Sequence, residues 1–303
     1  VALSPRDIYA DLWVVSCGRT PPTDGAGTVD RAALGAYNAA VFSEYAEALA
    51  RHGQGTEIVV VVSNPVELGV ATFARAIGRE RVIGIGAFQD TLRFRREIAA
   101  DLGVRRQRVA GFMLGEHGQN QLPVWSSVRL FGLDPSETAA ALRQVRRGTE
   151  GCDFNEMCRE AGAHTAALLA TGRVADAFVY VDTLPPDVRV VIKPYITHLS
   201  GAKTVLATAN VTVALVETLL QGNEALIAGQ VVLEEGEFHG CPAGPLGVPV
   251  IAGPTGLMRV VELPDMSAGE VGRVRAISAG LVERVGTWMH DLDAEKAREA
   301  VAV

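Results

Sequence analysis

At 303 residues with 48% hydrophobic content, the chain is long enough to bury one large core or two ordinary ones, and nothing in its composition points to disorder. A formal net charge of −7 argues against a sequence-independent nucleic-acid binder, which presents a basic face to phosphates, so a small soluble ligand is the expected partner. The apolar run from Ile58 to Val62 falls far short of the ~20 residues that cross a bilayer, and the first residues carry no basic, apolar, small-residue leader. A cytoplasmic protein with no membrane partner is expected. The cysteines at 17, 152, 158 and 241 have neither the paired spacing of a zinc site nor the density of a disulfide framework.

In chain order, Leu12 to Ser16 is a short apolar run that stops at Gly18 and predicts a buried strand of a parallel sheet. From Arg31, Leu34, Tyr37, Val41, Tyr45 and Leu49 recur at helical spacing until the basic last turn Arg51-His52 and Gly53. Ile58 to Val62 predicts a second strand, ending at Ser63-Asn64-Pro65. Arg81 to Ile85 predicts a third, running into a helix from Asp90 through Leu102. Ligand groups in doubly wound sheets gather at the carboxyl ends of strands, where Gly18, Asn64 and Gly86 all fall.

Beyond this point the pattern changes to an α+β region. Val109 to Leu114, Val124 to Leu130, Phe178 to Val181 and Val188 to Ile192 predict strands, and Leu184-Pro185-Pro186-Asp187 predicts the turn of an added hairpin between the last two. The final helix is marked by a capping box of Ser267 and Glu270, with Val271, Val274, Ile277, Leu281, Val285 and Trp288 along one face. The expected fold is α/β, the later part of a doubly wound parallel sheet over residues 1–86 followed by an α+β substrate domain over 87–303. No internal repeat is visible.

The chemistry concentrates in Asp90, Arg93 and Gly115-Glu116-His117-Gly118. Oxidising a secondary alcohol removes a proton from oxygen while a hydride leaves carbon, and histidine is suited to exchange that proton. The glycines around His117 allow a tight turn close to a ligand. Asp90 is the candidate to hold the far ring nitrogen and fix the tautomer. Arg93, three residues on, shares its helix face and could hold a carboxylate through two charge-assisted hydrogen bonds. The plain alternatives are a solvated i,i+3 ion pair and an ordinary loop histidine.

Together with their surroundings, these residues resemble the lactate/malate dehydrogenases, the 2-hydroxy acid dehydrogenase family. The resemblance rests on Asn64-Pro65-Val66, Arg81-Val82-Ile83-Gly84, the spacing of Asp90, Arg93 and His117, and Pro123-Val124-Trp125-Ser126. It continues through Gly201-Ala202-Lys203-Thr204, Leu246 to Val250 and Gly253-Pro254-Thr255-Gly256, covering residues 11 to 288. It implies a Rossmann-type sheet and hydride transfer between a nicotinamide and a small 2-hydroxy or 2-oxo acid of the malate or lactate class. The implied cofactor is NAD, with NADP left open, and the implied assembly a homodimer or homotetramer. His117 would be the proton acceptor and donor, Asp90 its partner and Arg93 the carboxylate anchor. Arg31 would be the mobile-loop arginine that polarises the carbonyl, its match reinforced by Asn38 seven residues later. Asn64 would contact substrate and nicotinamide, and Thr204 would line the pocket. Gly18, Asn38 and Ser63, with Asn64, would border the cofactor.

Three departures from the family pattern stand out. Its opening strand, glycine turn and second strand, roughly 60 to 80 residues of βαβ structure, are expected before residue 11 and are absent. The strings Gly25-Ala26-Gly27 and Gly84-Ile85-Gly86 continue to Asp30 and Gln89 rather than to a third glycine, and are not expected to open a helix. The stretch from Gly18 to Arg31 is long and lacks a clear counterpart of the second malate arginine, Arg19 being too early. The third departure is the length of the segment between Ser126 and Thr204. A rival reading is a catalytically silent homologue that acts through protein partners. A cofactor-dependent glycosidase would need a metal-binding Cys/His pair that the spacing does not offer.

Overall fold

The computed structural model describes residues 9–19, 31–118, 120–199 and 205–302. The first part alternates strand and helix as the apolar pattern requires: β1 (Leu12–Val15), α1 (Arg31–His52), β2 (Ile58–Val61), α2 (Val66–Ile77), β3 (Val82–Gly84) and α3 (Gly86–Asp101). β1, β2 and β3 are parallel neighbours. The second part carries β4 (Val109–Gly115), β5 (Gln121–Leu130), α4 (Pro135–Arg146), α5 (Phe154–Ala170), α6 (Val174–Asp182), α7 (Pro186–Leu199) and α8 (Val205–Leu220). It closes with β6 (Ala225–Leu233), the hairpin β7 (Gly244–Gly253) and β8 (Gly256–Val260), and α9 (Ala268–Ala302).

One eight-stranded sheet runs through both parts in the order β1-β2-β3-β6-β7-β4-β5, with β8 on β7. The parallel start joins the antiparallel remainder through the pairing of Gly84 with Gln230, and β7 meets β4 through Gly247 and Gly115. Both junctions lie beside the candidate site.

Every residue of β2 is buried, as a central strand covered on two faces must be. Val59 and Val61 pack with Phe42 and Ala46 of α1, Leu68 and Phe73 of α2, and Val285 and Leu292 of α9. Ile58 and Val60, on the opposite face, join Ile83, Val211 and Leu215. A third cluster sets Phe94 and Ile98 of α3 against Met113, Val128, Val188, Ile192 and Ile196. The capping box of α9 forms: Ser267 N donates to Glu270 Oε2 at 2.8 Å, and Glu270 N donates to Ser267 Oγ at 3.3 Å.

Two expectations are corrected. The added hairpin is a pair of helices, α6 and α7. In α6 the buried residues are Ala177 and Val181, one helical turn apart, whereas Phe178 and Val179 are 44% and 68% exposed; the β-branched run has a helical period. Pro185-Pro186-Asp187 is a helix start, with Pro186 in the first position, where a missing N–H costs nothing. Val188, Ile192 and Ile196 then face the core, and the buried Arg189 binds Glu97 and Asp101 of α3 at 2.8 and 2.7 Å.

Gly84-Ile85-Gly86, in turn, does open a helix. It follows β3 and leads directly into α3. It is still no phosphate cradle: a Cβ on Gly84 would stand 2.4 Å from Val66 Cγ1, and one on Gly86 would stand 2.5 Å from His117 Cβ. Protein side chains fill the space a diphosphate would need. Gly25-Ala26-Gly27 lies outside the described residues.

The loop between α1 and β2 carries a testable electrostatic device. Burial pushes the Glu57 carboxyl up, but N–H groups of Gln54, Gly55 and Thr56 donate to it and hold it below the usual carboxylate range. A depressed folded-state value means stabilisation that is present above the unfolded carboxylate range and lost as pH falls through the folded value. Glu57→Gln is therefore expected to cost roughly 1 to 2 kcal/mol at neutral pH. Denaturant titrations should show that cost shrinking as pH falls; a cost independent of pH would mean that shape, not charge, holds the loop.

Candidate active site

β4 ends at Gly115, and Gly115 and Gly118 adopt φ of +91° and +84°, values that L side chains rarely reach, so the chain reverses sharply around His117. This turn presents His117 to the first helical turns of α3. His117 Nδ1 lies 2.8 Å from Asp90 Oδ2, and Arg93 Nη1 donates to Asp90 Oδ1 at 3.2 Å. One buried carboxylate thus serves both partners, one oxygen each. Asp90 is 1% exposed, while His117 and Arg93 retain 13% and 20% side-chain exposure. The sequence leaves an isolated surface ion pair and a loop histidine open as alternatives; the geometry joins them into a single triad.

The residues expected near a cofactor gather at the carboxyl ends of β1 and β2. Ser63 Oγ donates to the Cys17 carbonyl. Asn38 is fully buried: its Oδ1 accepts from Arg19 N at 2.8 Å, and its Nδ2 donates to the carbonyls of Arg19 at 3.1 Å and Asn64 at 2.6 Å. Its amide therefore ties the turn after β1 to the turn after β2. A Cβ on Gly18 would stand 2.7 Å from Asn38 Oδ1, which accounts for glycine there. Asn64 itself is exposed. The Arg19 guanidinium lies 3.7 Å from the centre of the Tyr37 ring, consistent with its being no carboxylate anchor.

Arg31 opens α1, but its side chain is outside the described residues, as is Thr204. The start of α8 just beyond Thr204 is held to α3 by Gln89 Nε2, which donates to Thr208 Oγ1 at 3.2 Å.

Sequence reasoning did not single out two polar residues behind His117, Glu67 and Gln230. Glu67 Oε1 accepts from the His117 backbone N–H at 2.7 Å and from Gln230 Nε2 at 3.3 Å, and Gln230 Oε1 accepts from Ala87 N at 2.9 Å. Glu116 binds Asn120 and Arg284 of α9. Burial, and secondarily the charge of Glu116, push the Glu67 carboxyl above its usual range. The one available signal was an acidic residue two places after Asn64-Pro65, in the first turn of a helix.

Among the described residues no group of three or more His, Cys, Asp or Glu could hold a metal ion, and no helix is long and apolar enough to cross a membrane. A crevice of about 490 Å³ bordered by Trp125, Arg146, Asp187 and Glu270 contains none of the site residues.

No family model matches the chain. It is 27% identical to an L-lactate dehydrogenase of Treponema denticola over 248 residues, 81% of this chain and 68% of that relative. It is 36% identical to a malate dehydrogenase of Sulfurisphaera tokodaii over 128 residues, 42% of this chain; the match spans 40% of that relative's length. Its fold matches a lactate dehydrogenase from Cryptosporidium parvum, solved with lactic acid and nicotinamide adenine dinucleotide, with a TM-score of 0.67 and 22% identity over 96% of this chain and 78% of that one. With the parallel β1-β2-β3 start and the antiparallel remainder, these likenesses show a chain similar in sequence to lactate and malate dehydrogenases and built on their fold.

Proposed function

We propose that the chain is an NAD-dependent oxidoreductase acting on a small 2-hydroxy or 2-oxo acid of the malate or lactate class. The observation that carries this reading is the sharing of Asp90 between His117 and Arg93. Asp90 on Nδ1 fixes the imidazole tautomer and stabilises the imidazolium, so proton exchange falls to Nε2. In the oxidising direction Nε2 takes the hydroxyl proton, and in the reducing direction it returns a proton to the carbonyl oxygen. The Arg93 guanidinium, a planar fork of N–H donors beside His117, would orient a carboxylate so that the reacting carbon faces His117. Arg31 would polarise the carbonyl and Thr204 would line the pocket.

The residues present fit the nicotinamide end of the cofactor. Exposed Asn64 and half-buried Ser63, on turns braced by Asn38 and Gly18, offer polar groups at the carboxyl ends of β1 and β2. Gly84-Ile85-Gly86 leaves no room for a pyrophosphate, because the Val66 and His117 side chains fill the space beside its glycines. When bound, the cofactor supplies the hydride acceptor or donor. The homo-oligomer belongs to the same reading and is supported by Leu206, Val213 and Leu220, exposed along one face of α8.

Following absorbance during oxidation of NADH with a panel of 2-oxo acids tests this function. Turnover with an acid of the malate or lactate class, and none with the matching ketone that lacks the carboxylate, is expected. Absence of turnover with every acid would favour the silent homologue.

A further inference from the structure

Glu67 has no part in the proton and carboxylate chemistry above, yet it is buried directly behind it. Its carboxyl receives the backbone N–H of His117 and the side-chain N–H of Gln230, whose carbonyl in turn receives the N–H of Ala87. Ala87 lies in the first turn of the helix that carries Asp90 and Arg93, and Gln230 is the residue through which β6 pairs with β3. Four segments therefore meet in one hydrogen-bonded chain: the start of α2, the histidine turn, β6 and the start of α3.

We infer that Glu67, acting through Gln230, is a positioning residue that sets the histidine turn against α3 so that His117 Nδ1 meets Asp90. This deepens the dehydrogenase reading of the same site and rests on it. A lost backbone acceptor matters here because the turn has glycines at 115 and 118, whose backbones resist distortion least. Without Glu67, the N–H of His117 would be a buried donor seeking another partner, and rotating that peptide would swing the ring away from Asp90.

The groups around Glu67 favour a hydrogen-bonding role over a charged one. Glu116, held by Arg284 and Asn120, adds a like charge from the same turn, and His117 opposes it through its backbone N–H and its ring. Burial and the charge of Glu116 favour the protonated carboxyl, whose carbonyl oxygen a glutamine amide reproduces. Glu67→Gln should therefore preserve the arrangement, and Glu67→Ala should release it. Gln230→Leu, similar in size, should cut the same chain at its other link.

Proton NMR of the free protein reads the arrangement through the downfield Nδ1–H resonance of His117 bound to Asp90, with circular dichroism confirming the fold. Glu67→Gln should keep the resonance at the wild-type position, while Glu67→Ala and Gln230→Leu should lose it or broaden it through solvent exchange. Loss of the resonance in folded Glu67→Gln, or its persistence in Glu67→Ala or Gln230→Leu, overturns the proposal. If Glu67→Ala does not fold, Gln230→Leu and Glu67→Gln still decide. The measurement needs neither cofactor nor acid, so it stands apart from failure of the enzymatic reading. In an active protein, Glu67→Ala should lower kcat by about 10-fold or more with little change in the KM of the acid, and Glu67→Gln should restore it.

Discussion

His117→Asn is expected to lower turnover by about 10² to 10⁴, the range that a positioned acid or base contributes. Asparagine can occupy the turn and still meet Asp90, but it has no group that exchanges a proton near neutral pH. Affinity for NADH, read by its fluorescence, should be nearly unchanged, because the substitution removes a proton carrier and leaves the turns after β1 and β2 in place. Stopped-flow absorbance with enzyme in excess isolates the hydride step from product release. A near wild-type rate in that experiment would take His117 out of the mechanism.

Arg93→Lys should raise the KM for a 2-oxo acid although the positive charge is kept. Lysine presents one ammonium where the guanidinium presents a planar fork, so it cannot place two parallel donors on a carboxylate while also reaching Asp90. Losing one charge-assisted hydrogen bond at roughly 1.5 to 3 kcal/mol corresponds to about 10- to 10²-fold in affinity. Steady-state kinetics with the acid and with its neutral ester separate the two roles open to Arg93. A loss confined to the acid supports the anchor; equal losses for both would show that Arg93 acts only by holding Asp90.

The parts of the fold that the sequence makes legible are those where one local signal dominates. Ile58 to Val62 reads as a central strand because every position is apolar and β-branched, and β2 is buried throughout. The start of α9 reads cleanly because Ser267 and Glu270 satisfy each other's backbone groups. Phe178 to Val181 misleads because β-branched and aromatic residues favour strands in isolation, whereas the residues buried in α6 are Ala177 and Val181, one helical turn apart. There the tertiary contact sets the period.

The site divides in the same way. Asp90, Arg93 and His117 can be found because their chemistry and spacing are recognisable in a single chain segment. Glu67 and Gln230 lie 50 and 113 residues from His117 and meet it only once β6 pairs with β3. No local pattern brings them together. Asn38 shows a different gap: the sequence marks it beside a cofactor, whereas its amide is committed to the backbones of Arg19 and Asn64, so its contribution is to brace the turns.

The central claim is that a 2-oxo acid sits with its carboxylate on Arg93 and its C2 oxygen on His117. A crystal structure of the protein with NADH and a non-reacting 2-oxo acid analogue tests this most directly. The expected density places the analogue's carboxylate within hydrogen-bond distance of the Arg93 guanidinium and its carbonyl oxygen within hydrogen-bond distance of His117 Nε2, with Asp90 still on Nδ1. An analogue bound away from Arg93, or one bound there with its carbonyl directed away from His117, would contradict the claim.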